Sequence, residues 1–361
     1  MSENIDKIVS EWAGRIRAAA SEGVALRPRG GGSKDFYGRA PTGEVFDTTP
    51  CRGIVSYEPS ELVVTVRAGT PLAELEAELA ARGQMLAFEP PHFGPGATVG
   101  GAVAAGLSGP RRLAAGALRD FVLGVKLLDG RGQVLRFGGQ VMKNVAGYDV
   151  SRLMAGSLGT LGVLLEVSLK VLPRPVEEAT LRFQLSEAEA IARLNDWGGQ
   201  PLPISASAWA DGVLTLRLSG AAAAVRSARE TLGGEGVGEA DAQTFWHAVR
   251  EQTLPWFGVD VAGGALWRLS LPTSAAPLKL AGEQFIEWGG GQRWLRSGVP
   301  AAQIRERVAQ LGGHASLFRG GARDGAVFHP LPAPLMTIQR RLKAAFDPSG
   351  IFSPGRLHQE F

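Results

Sequence analysis

Cysteine is almost absent from this sequence of 361 residues, in which Cys51 stands alone. One thiol cannot form an internal disulfide, and by itself it cannot hold zinc or an iron–sulfur cluster. Long apolar runs are missing as well, so no membrane-spanning helix is expected. Charge of one sign is not in excess: 38 Lys and Arg face 35 Asp and Glu, without a long basic run, which argues against nucleic acid or a membrane surface as partner. These absences predict a reduced, cytoplasmic protein.

The composition that remains is that of a folded globular chain. Apolar residues make up 45% and charged residues 20%, which is enough for a core and argues against disorder. The length exceeds one typical core, so we expect two domains, or one domain with a large insertion. Residues 1–20 follow an amphipathic helix pattern and lack a basic region before an apolar block, so no secretion signal is expected.

Two β-hairpins are predicted from Asp-Gly pairs. In the first half, Asp129 and Gly130 supply the turn between two alternating apolar runs over 121–139. In the second half, Asp211 and Gly212 do the same between two further alternating runs. Both halves are therefore expected to contain antiparallel sheet.

The chain changes character near its middle. Before that point, a helix is predicted over 70–83, with Thr70 as N-cap, Pro71 at the first helical position and Gly83 at its end. The Pro-Arg-Pro stretch at 173–175 is typical of a linker. After it, strands and helices alternate as in an α+β domain with an antiparallel sheet.

Three glycine-rich segments carry the strongest functional signal: PRGGGS at 28–33, GPGATVGGAVAAGLSG at 94–109 and MKNVAGYDVSRLMAGSLGTLGV at 142–163. Glycine costs roughly 0.5–1 kcal/mol relative to alanine inside a regular element, so this repetition indicates backbone that a ligand approaches closely. Consecutive glycines can turn backbone N–H groups toward a phosphate, although a flexible turn would look the same at 28–33. Val99 stands where a nicotinamide-binding fingerprint needs its third glycine, which disfavours that fold. Together the segments predict one groove for a dinucleotide.

The same segments resemble the FAD-binding fold of the vanillyl-alcohol oxidase superfamily, also called PCMH-type, and FDPSGIFSPGR near the end adds to the likeness. Within that superfamily, the runs GPRR, RDFVLG, LRFGG and VMKNVAGYDVSRLM are most similar to the E subunit family of bacterial glycolate oxidase, or glycolate dehydrogenase. The resemblance implies an α+β fold in three parts. These are a PCMH-type FAD-binding domain of two α+β subdomains over 1–175, an α+β cap domain with an antiparallel sheet over 176–333, and a C-terminal segment over 334–361 that returns to the FAD domain.

The resemblance also implies the cofactor and its contacts. FAD would be held noncovalently, because Gly32 and Ser33 stand where relatives with covalent flavin often carry a histidine. Its pyrophosphate would lie against 28–33, and the other two segments would present backbone to the flavin and diphosphate. The implied cofactor-binding residues are Pro28, Arg29, Gly30, Gly31, Gly32, Ser33, Gly96, Ala97, Thr98, Gly100, Gly101, Ser108, Gly109, Gly159, Gly162 and Val163.

By the same resemblance, the protein would oxidise glycolate to glyoxylate through FAD and pass electrons to an iron–sulfur subunit. The expected partners are that subunit, a catalytic flavin subunit of the complex and a small 2-hydroxy acid. Any contact with the inner face of the membrane would be made through the complex. Two alternatives stay open: a stand-alone FAD-dependent dehydrogenase of D-lactate or another 2-hydroxy acid, and a non-catalytic subunit that only relays electrons through its flavin.

No catalytic residue follows from the sequence. His314 could act as a general base or be a structural histidine. Arg268 could pair with a substrate carboxylate or make a contact between domains. Lys143, Asn144 and Tyr148 could face the flavin or hold their own loop in place.

Two departures from the family pattern bear on catalysis. Relatives that oxidise 2-hydroxy acids commonly read GSEGTLG, and Leu158 replaces the glutamate here. They also carry a histidine-rich motif that resembles H-x-G-D-G-N-x-H and binds a divalent ion. The five histidines of this sequence show no such pairing, so no metal site is predicted.

Overall fold

The computed structural model describes residues 2–139, 149–258, 264–323 and 325–361. Its helices are α1 (Ser2–Glu22), α2 (Leu72–Ala81), α3 (Val99–Ala105), α4 (Arg112–Ala115), α5 (Leu118–Phe121), α6 (Glu187–Gly198), α7 (Ala222–Leu232), α8 (Glu239–Glu251), α9 (Ala301–Gln310) and α10 (Ala333–Phe346). Its strands are β1 (Leu26–Arg29), β2 (Glu44–Asp47), β3 (Ile54–Glu58), β4 (Val63–Arg67), β5 (Gln84–Met85), β6 (Val122–Leu128), β7 (Val134–Gly138), β8 (Val163–Lys170), β9 (Leu172–Pro173), β10 (Glu177–Gln184), β11 (Ile204–Ala210), β12 (Val213–Gly220), β13 (Glu235–Val237), β14 (Ala265–Ser270), β15 (Glu283–Glu287), β16 (Gln292–Ser297) and β17 (His314–Arg319). Among these residues, no helix is long and apolar enough to cross a bilayer.

A five-stranded antiparallel sheet, in the order β3-β4-β8-β6-β7, forms the centre of the first half. The predicted hairpin is confirmed, since β6 and β7 pair on either side of Asp129 and Gly130. The Asp129 carboxylate closes this turn by accepting the backbone N–H of Arg131 at 2.9 Å and of Gln133 at 2.8 Å. A local side-chain to backbone bond of this kind explains why the turn could be predicted from sequence.

A smaller unit packs beside this sheet and contains the two parallel strands β1 and β2. Helix α1 covers them, and Ile16 is buried against Leu26 and Phe46. The end of the chain joins the same unit: Leu26 N donates to Ile351 O at 2.7 Å, and Ser353 N donates to Leu26 O at 2.8 Å. Helices and sheets are thus mixed in the expected α+β manner.

Helix α2 begins later than predicted, and Thr70 is not its N-cap. Pro71 takes the cap position without a side-chain hydrogen bond. The hydroxyl of Thr70 is fully buried and accepts the backbone N–H of Gly53 at 2.8 Å. Leu72 N, at the start of the helix, donates instead to Ala97 O at 2.8 Å. The Thr70 hydroxyl and the first backbone N–H of α2 therefore form hydrogen bonds with distant residues, where a local cap was expected.

The second half builds an eight-stranded sheet from residues 177–319, in the order β13-β10-β12-β11-β15-β16-β14-β17. We call it the cap sheet. The predicted hairpin at Asp211 and Gly212 is confirmed by the pairing of β11 with β12. Strands β15 and β16 were not predicted, although they occupy the middle of the sheet. One face of β14 and β16 is covered by α9, where Leu269, Leu295 and Ile304 are buried together.

A buried carboxylate joins the two halves. Glu89, from the first half, lies 2.9 Å from Arg217 Nη2 on β12 and 3.4 Å from Arg111 Nε. Burial opposes the charged form, but the two guanidinium groups outweigh it and lower the pKa of Glu89 below its ordinary value. Beside this cluster, Trp288 Nε1 donates to Gly109 O at 3.0 Å. The cap sheet is thereby fixed against the second glycine-rich segment.

Candidate functional site

The three glycine-rich segments meet at one cleft, which the C-terminal residues Ser353 and Arg356 also line. We call it the glycine cleft. Its empty volume, counted to its open mouth, is about 870 Å³. Most of the residues predicted to contact FAD line it: Pro28, Arg29, Gly30, Gly31, Gly32, Ser33, Thr98, Gly100, Gly101, Gly159 and Gly162.

The first and second segments touch through bare backbone. A Cβ atom on Gly31 would lie 1.4 Å from Gly96 O, and one on Gly30 would lie 2.2 Å from Thr98 Oγ1. Neither position has room for a side chain. Thr98 is the N-cap of α3, since its Oγ1 accepts the backbone N–H of Gly101 at 3.2 Å. Glycine is therefore required where these two loops form the cleft floor.

The third segment is held along α3 by backbone hydrogen bonds. Gly156 N donates to Val103 O at 3.0 Å, and Leu158 N donates to Ala104 O at 2.9 Å. Leu158 adopts a φ of 50°, a left-handed conformation that is uncommon for a non-glycine residue. Leu158 also lines the cleft.

The walls of the glycine cleft carry four cationic side chains and one carboxylate. Arg29 Nε lies 2.7 Å from Asp35 Oδ2, and Arg356 Nη2 donates to Asp35 O at 2.9 Å. Arg27 Nε is buried and has no hydrogen-bond partner among the described residues. Burial lowers the pKa of Arg356 to about 10 and that of Lys34 to about 8. An excess of positive charge beside glycine backbone suits an anionic ligand such as a diphosphate.

Five of the predicted contacts lie elsewhere. Gly96 and Ala97 stand behind the cleft wall, where Gly96 supports Gly31 from below and Ala97 is buried in the core. Val163 does not reach the cleft, because its side chain is fully buried in the cluster that packs against α1. Ser108 and Gly109 line a second space. Cofactor contact at each individual residue stays a prediction.

This second space, which we call the cap cavity, has an empty volume of about 300 Å³ and lies between the second glycine-rich segment and the cap sheet. One short stretch of chain connects the two sites: Ala104 and Ala105 line the glycine cleft, and Ser108 and Gly109 line the cap cavity. Arg268, proposed from sequence as a carboxylate partner, also lines the cap cavity.

A buried glutamate that the sequence analysis missed lies at the same cavity. Glu287 is 4% exposed, and its Oε2 accepts Trp294 Nε1 at 2.6 Å and Gln292 Nε2 at 3.0 Å. Gln292 Oε1 in turn accepts Arg268 Nε at 2.7 Å. Burial raises the pKa of Glu287 to about 7, although these two donors and Arg268 partly oppose the shift. The alternation in EQFIE and QRWLRS, on either side of three glycines, was the signal that could have revealed these strands.

Of the other proposed residues, the structure describes only His314, which lies away from both spaces. His314 is exposed at the start of β17, with its ring centroid 6.2 Å from that of His329, and it lines neither the cleft nor the cavity. Lys143, Asn144 and Tyr148 lie outside the described residues. Within the described ranges, no group of three or more His, Cys, Asp or Glu side chains could hold a metal ion.

Comparison with known proteins identifies the family. A family model described as an FAD binding domain matches residues 9–138. Glycolate oxidase subunit GlcE of Escherichia coli is 50% identical to this chain over 346 residues, which cover 96% of each protein. The chain belongs to the GlcE family of glycolate oxidase subunits.

Other relatives match the GlcE-family chain over part of its length. Glycolate oxidase subunit GlcD of Bacillus subtilis is 32% identical over 182 residues, covering 50% of this chain and 38% of that protein. A D-lactate dehydrogenase of Anaerostipes hadrus is 35% identical over 133 residues, covering 37% and 28%. Among solved structures, alkyldihydroxyacetonephosphate synthase aligns over 94% of this chain and 73% of its own, with a TM-score of 0.66 and 15% identity. That likeness confirms the PCMH-type fold.

The glycine cleft of this GlcE-family chain fits the cofactor of its family, FAD. Gly30 and Gly31 line the cleft with bare backbone, because a Cβ at either position would collide with the neighbouring loop. The unpartnered, buried Arg27 Nε supplies a donor that an anionic ligand would satisfy. The chain is accordingly an FAD-dependent oxidoreductase of the group that acts on 2-hydroxy acids.

Proposed function

We propose that this chain holds FAD noncovalently in the glycine cleft and takes part, within a glycolate oxidase complex, in the oxidation of glycolate to glyoxylate. Electrons would leave its flavin for an iron–sulfur subunit. The observation that carries the proposal is the meeting of three glycine-rich segments and four cationic side chains at one cleft, adjacent to a cavity under the cap sheet.

The cleft residues divide the work of binding. Arg27 and Arg356 are the cations best placed to pair with the diphosphate, since Arg27 Nε is unpartnered and Arg356 lines the same wall. Backbone amides of 30–33 would add donors. Thr98 serves by holding α3 and its own loop in place. Bound FAD supplies a two-electron acceptor for a substrate C–H bond.

An iron–sulfur cluster that accepts these electrons would have to belong to another protein. Cys51 is its one cysteine, and a single thiol cannot hold an iron–sulfur cluster. Burial also raises the pKa of the Cys51 thiol to about 11, so it stays protonated and unreactive. The Escherichia coli and Bacillus subtilis relatives are both named as subunits of glycolate oxidase, which supports a complex that contains a GlcD-type chain.

The test uses the chain alone and in complex with GlcD-type and iron–sulfur subunits, under anaerobic conditions with glycolate. The measurements are FAD bound per chain, glyoxylate formed, and the paramagnetic signal of the reduced cluster. We expect a yellow chain and, in the complex, glyoxylate together with a reduced cluster. A chain that stays colourless in excess FAD contradicts the proposal. So does a cluster that is reduced equally fast when this chain carries no FAD.

The isolated chain separates the two alternatives. If D-lactate or another 2-hydroxy acid bleaches the flavin of the isolated chain, the result favours a stand-alone dehydrogenase. If glycolate reduces the flavin only after the GlcD-type subunit is added, the result favours a relay role. Stopped-flow absorbance of the flavin distinguishes these outcomes directly.

A further inference from the structure

One face of the cap sheet is polar where it meets the cap cavity. The strand register pairs Glu287 with Gln292, and Arg268 with Trp294, so these four side chains point to the same face. On the opposite face, Leu269 and Leu295 pack against α9, and the buried Arg293 donates to backbone carbonyl groups. A buried carboxylate and a partly buried guanidinium that line one cavity indicate a ligand site on the face that carries them.

Glu287 has one oxygen committed and one available. Both of its hydrogen bonds, from Trp294 Nε1 and Gln292 Nε2, go to Oε2, and no described residue donates to Oε1. The two donors fix the orientation of the carboxyl group without using its second oxygen. A carboxyl group held in this way, at the lining of a cavity, can accept a proton from a ligand hydroxyl.

Arg268 is oriented in the same manner. Its Nε donates to Gln292 Oε1, and its guanidinium lies 5.4 Å from the ring centroid of Trp288. Its two Nη groups make no hydrogen bond with any described residue. The planar fork therefore remains open for a carboxylate. Gln292 bridges Arg268 and Glu287, so an anion-binding group and a proton acceptor stand on one rigid framework.

Arg268, Gln292 and Glu287 lie across the cap cavity from the second glycine-rich segment. Gly109 lines the cap cavity and accepts Trp288 Nε1 through its carbonyl oxygen at 3.0 Å. Ser108 lines the cavity too, and the chain running back from it reaches the glycine cleft at Ala105. The cavity and the cleft are thus lined by neighbouring residues of one continuous stretch, 104–109.

We infer that the cap cavity is a 2-hydroxy-acid site in which Arg268 binds the substrate carboxylate and Glu287 Oε1 accepts the proton of the C2 hydroxyl. The inference rests on the proposed function, which supplies FAD as the oxidant. The C2–H bond breaks and its hydrogen leaves with both electrons to FAD. The O–H proton goes to Glu287, and the C2–O bond becomes the carbonyl of the 2-oxo acid.

The charge around Glu287 fits this role. Burial holds its pKa at about 7, so near neutral pH the carboxyl group can take up a proton and return it to solvent. The charged groups that face it are Arg268 on β14, Glu89 from the first half, and Arg250 on α8, which also lines the cavity. Arg268 favours the carboxylate form of Glu287, whereas Glu89 opposes it.

The test measures binding of oxalate, which resembles glycolate and cannot be oxidised by hydride loss, to the FAD-loaded chain. Calorimetry at pH 7 in buffers of different ionisation enthalpy gives both affinity and protons taken up. We expect about half a proton to be taken up per oxalate, because its second carboxylate takes the place of the C2 hydroxyl beside Glu287 Oε1, where only a protonated Glu287 can donate a hydrogen bond to it. A purely structural Glu287 would not produce this uptake.

Three variants complete the test. Glu287→Gln should keep oxalate affinity, lose the proton uptake, and slow flavin reduction by glycolate in the complex at least about a hundredfold. Arg268→Met should weaken oxalate binding at least about tenfold, the loss expected for a charge-assisted pair. Glu283→Gln is the matched control, since Glu283 lies on the same strand but is exposed and pairs with Arg296. It should change none of these quantities.

The outcomes distinguish failure of this site assignment from failure of the proposed function. If oxalate binds with no proton uptake, or binds equally well to Arg268→Met, while the complex still makes glyoxylate, the site assignment is overturned and the proposed function stands. If the chain fails to bind FAD or the complex makes no glyoxylate, the proposed function fails. Oxalate binding to the FAD-loaded chain with proton uptake that Glu287→Gln abolishes supports the site even if the complex makes no glyoxylate.

Discussion

Lys343 Nζ lies 2.7 Å from Asp347 Oδ2 in the interior of the protein, where both side chains are almost inaccessible to solvent. The same ammonium donates to Thr160 O at 2.8 Å and to Phe352 O at 2.7 Å. Burial lowers the pKa of Lys343, while Asp347 acts in the opposite direction. This one side chain ties α10 to the third glycine-rich segment and to the C-terminal turn.

Replacing Lys343 with methionine should lower the free energy of unfolding by about 3–5 kcal/mol, because it leaves Asp347 charged, buried and without its partner. Lys7→Met is the control, since Lys7 pairs with Glu11 at the same sequence spacing but on the surface at 4.0 Å. Its cost should stay below about 1 kcal/mol. Equilibrium urea unfolding of the FAD-loaded chain measures both. Equal midpoints for the two variants would show that the buried pair does not stabilise the fold.

Gly31→Ala should open the floor of the glycine cleft. The added Cβ would lie 1.4 Å from Gly96 O, so the first two segments would have to separate at a cost of about 1–3 kcal/mol. We expect FAD affinity to fall at least about tenfold, measured by flavin absorbance after equilibrium dialysis. Gly14→Ala is the matched control, because a Cβ there meets no atom within 4 Å. Retention of FAD by Gly31→Ala at the level of Gly14→Ala would contradict the close contact.

Glu287 should make the protein less stable as the pH rises. Its folded pKa, about 7, lies above the model-peptide value of 4.5, so the folded state binds the proton more tightly. The stabilisation is complete below about pH 4.5 and is lost as the pH rises through 7, a difference of about 3 kcal/mol. Glu287→Gln should therefore gain stability relative to the parent between about pH 5 and pH 8. Urea midpoints across that range measure this gain, and parallel curves for parent and variant would refute it.

Glu89 should show the opposite dependence. Its pKa is lowered in the folded state by Arg217 and Arg111, so its stabilisation is present above the unfolded value and is lost as the pH falls through the lowered one. Glu89→Gln should cost about 3 kcal/mol at neutral pH, because two buried guanidinium groups lose their counter-charge. The cost should shrink as the pH is taken toward about 3. A cost that does not vary with pH would mean that the charge of Glu89 is not what joins the two halves.

The parts of the fold that could be predicted are those encoded locally. Both Asp-Gly hairpins were found because the turn is specified within a few residues, as the Asp129 hydrogen bonds show. The glycine-rich segments were predicted to form one groove, and they do meet at one cleft. At Gly31 the close approach that requires glycine is that of the Gly96 backbone. The N-cap of α2 was assigned wrongly because the Thr70 hydroxyl accepts the backbone N–H of Gly53, which is distant in sequence.

The parts that could not be predicted depend on contacts between distant residues. Strands β15 and β16 were missed, and with them Glu287 and Gln292. The pKa of Glu287 depends on burial beneath the second glycine-rich segment, which no pattern around residue 287 records. Arg268 was suspected from its chemistry alone, whereas its place beside the cap cavity follows from strand register. His314, suspected on the same grounds, lies outside that cavity.

Ser353 and Arg356 complete the wall of the glycine cleft, and Ser353 N is anchored on Leu26 O at 2.8 Å. A ribosome synthesises these two residues after every other part of that wall. The wall of the glycine cleft is therefore incomplete until these two residues have been made and have folded back onto β1.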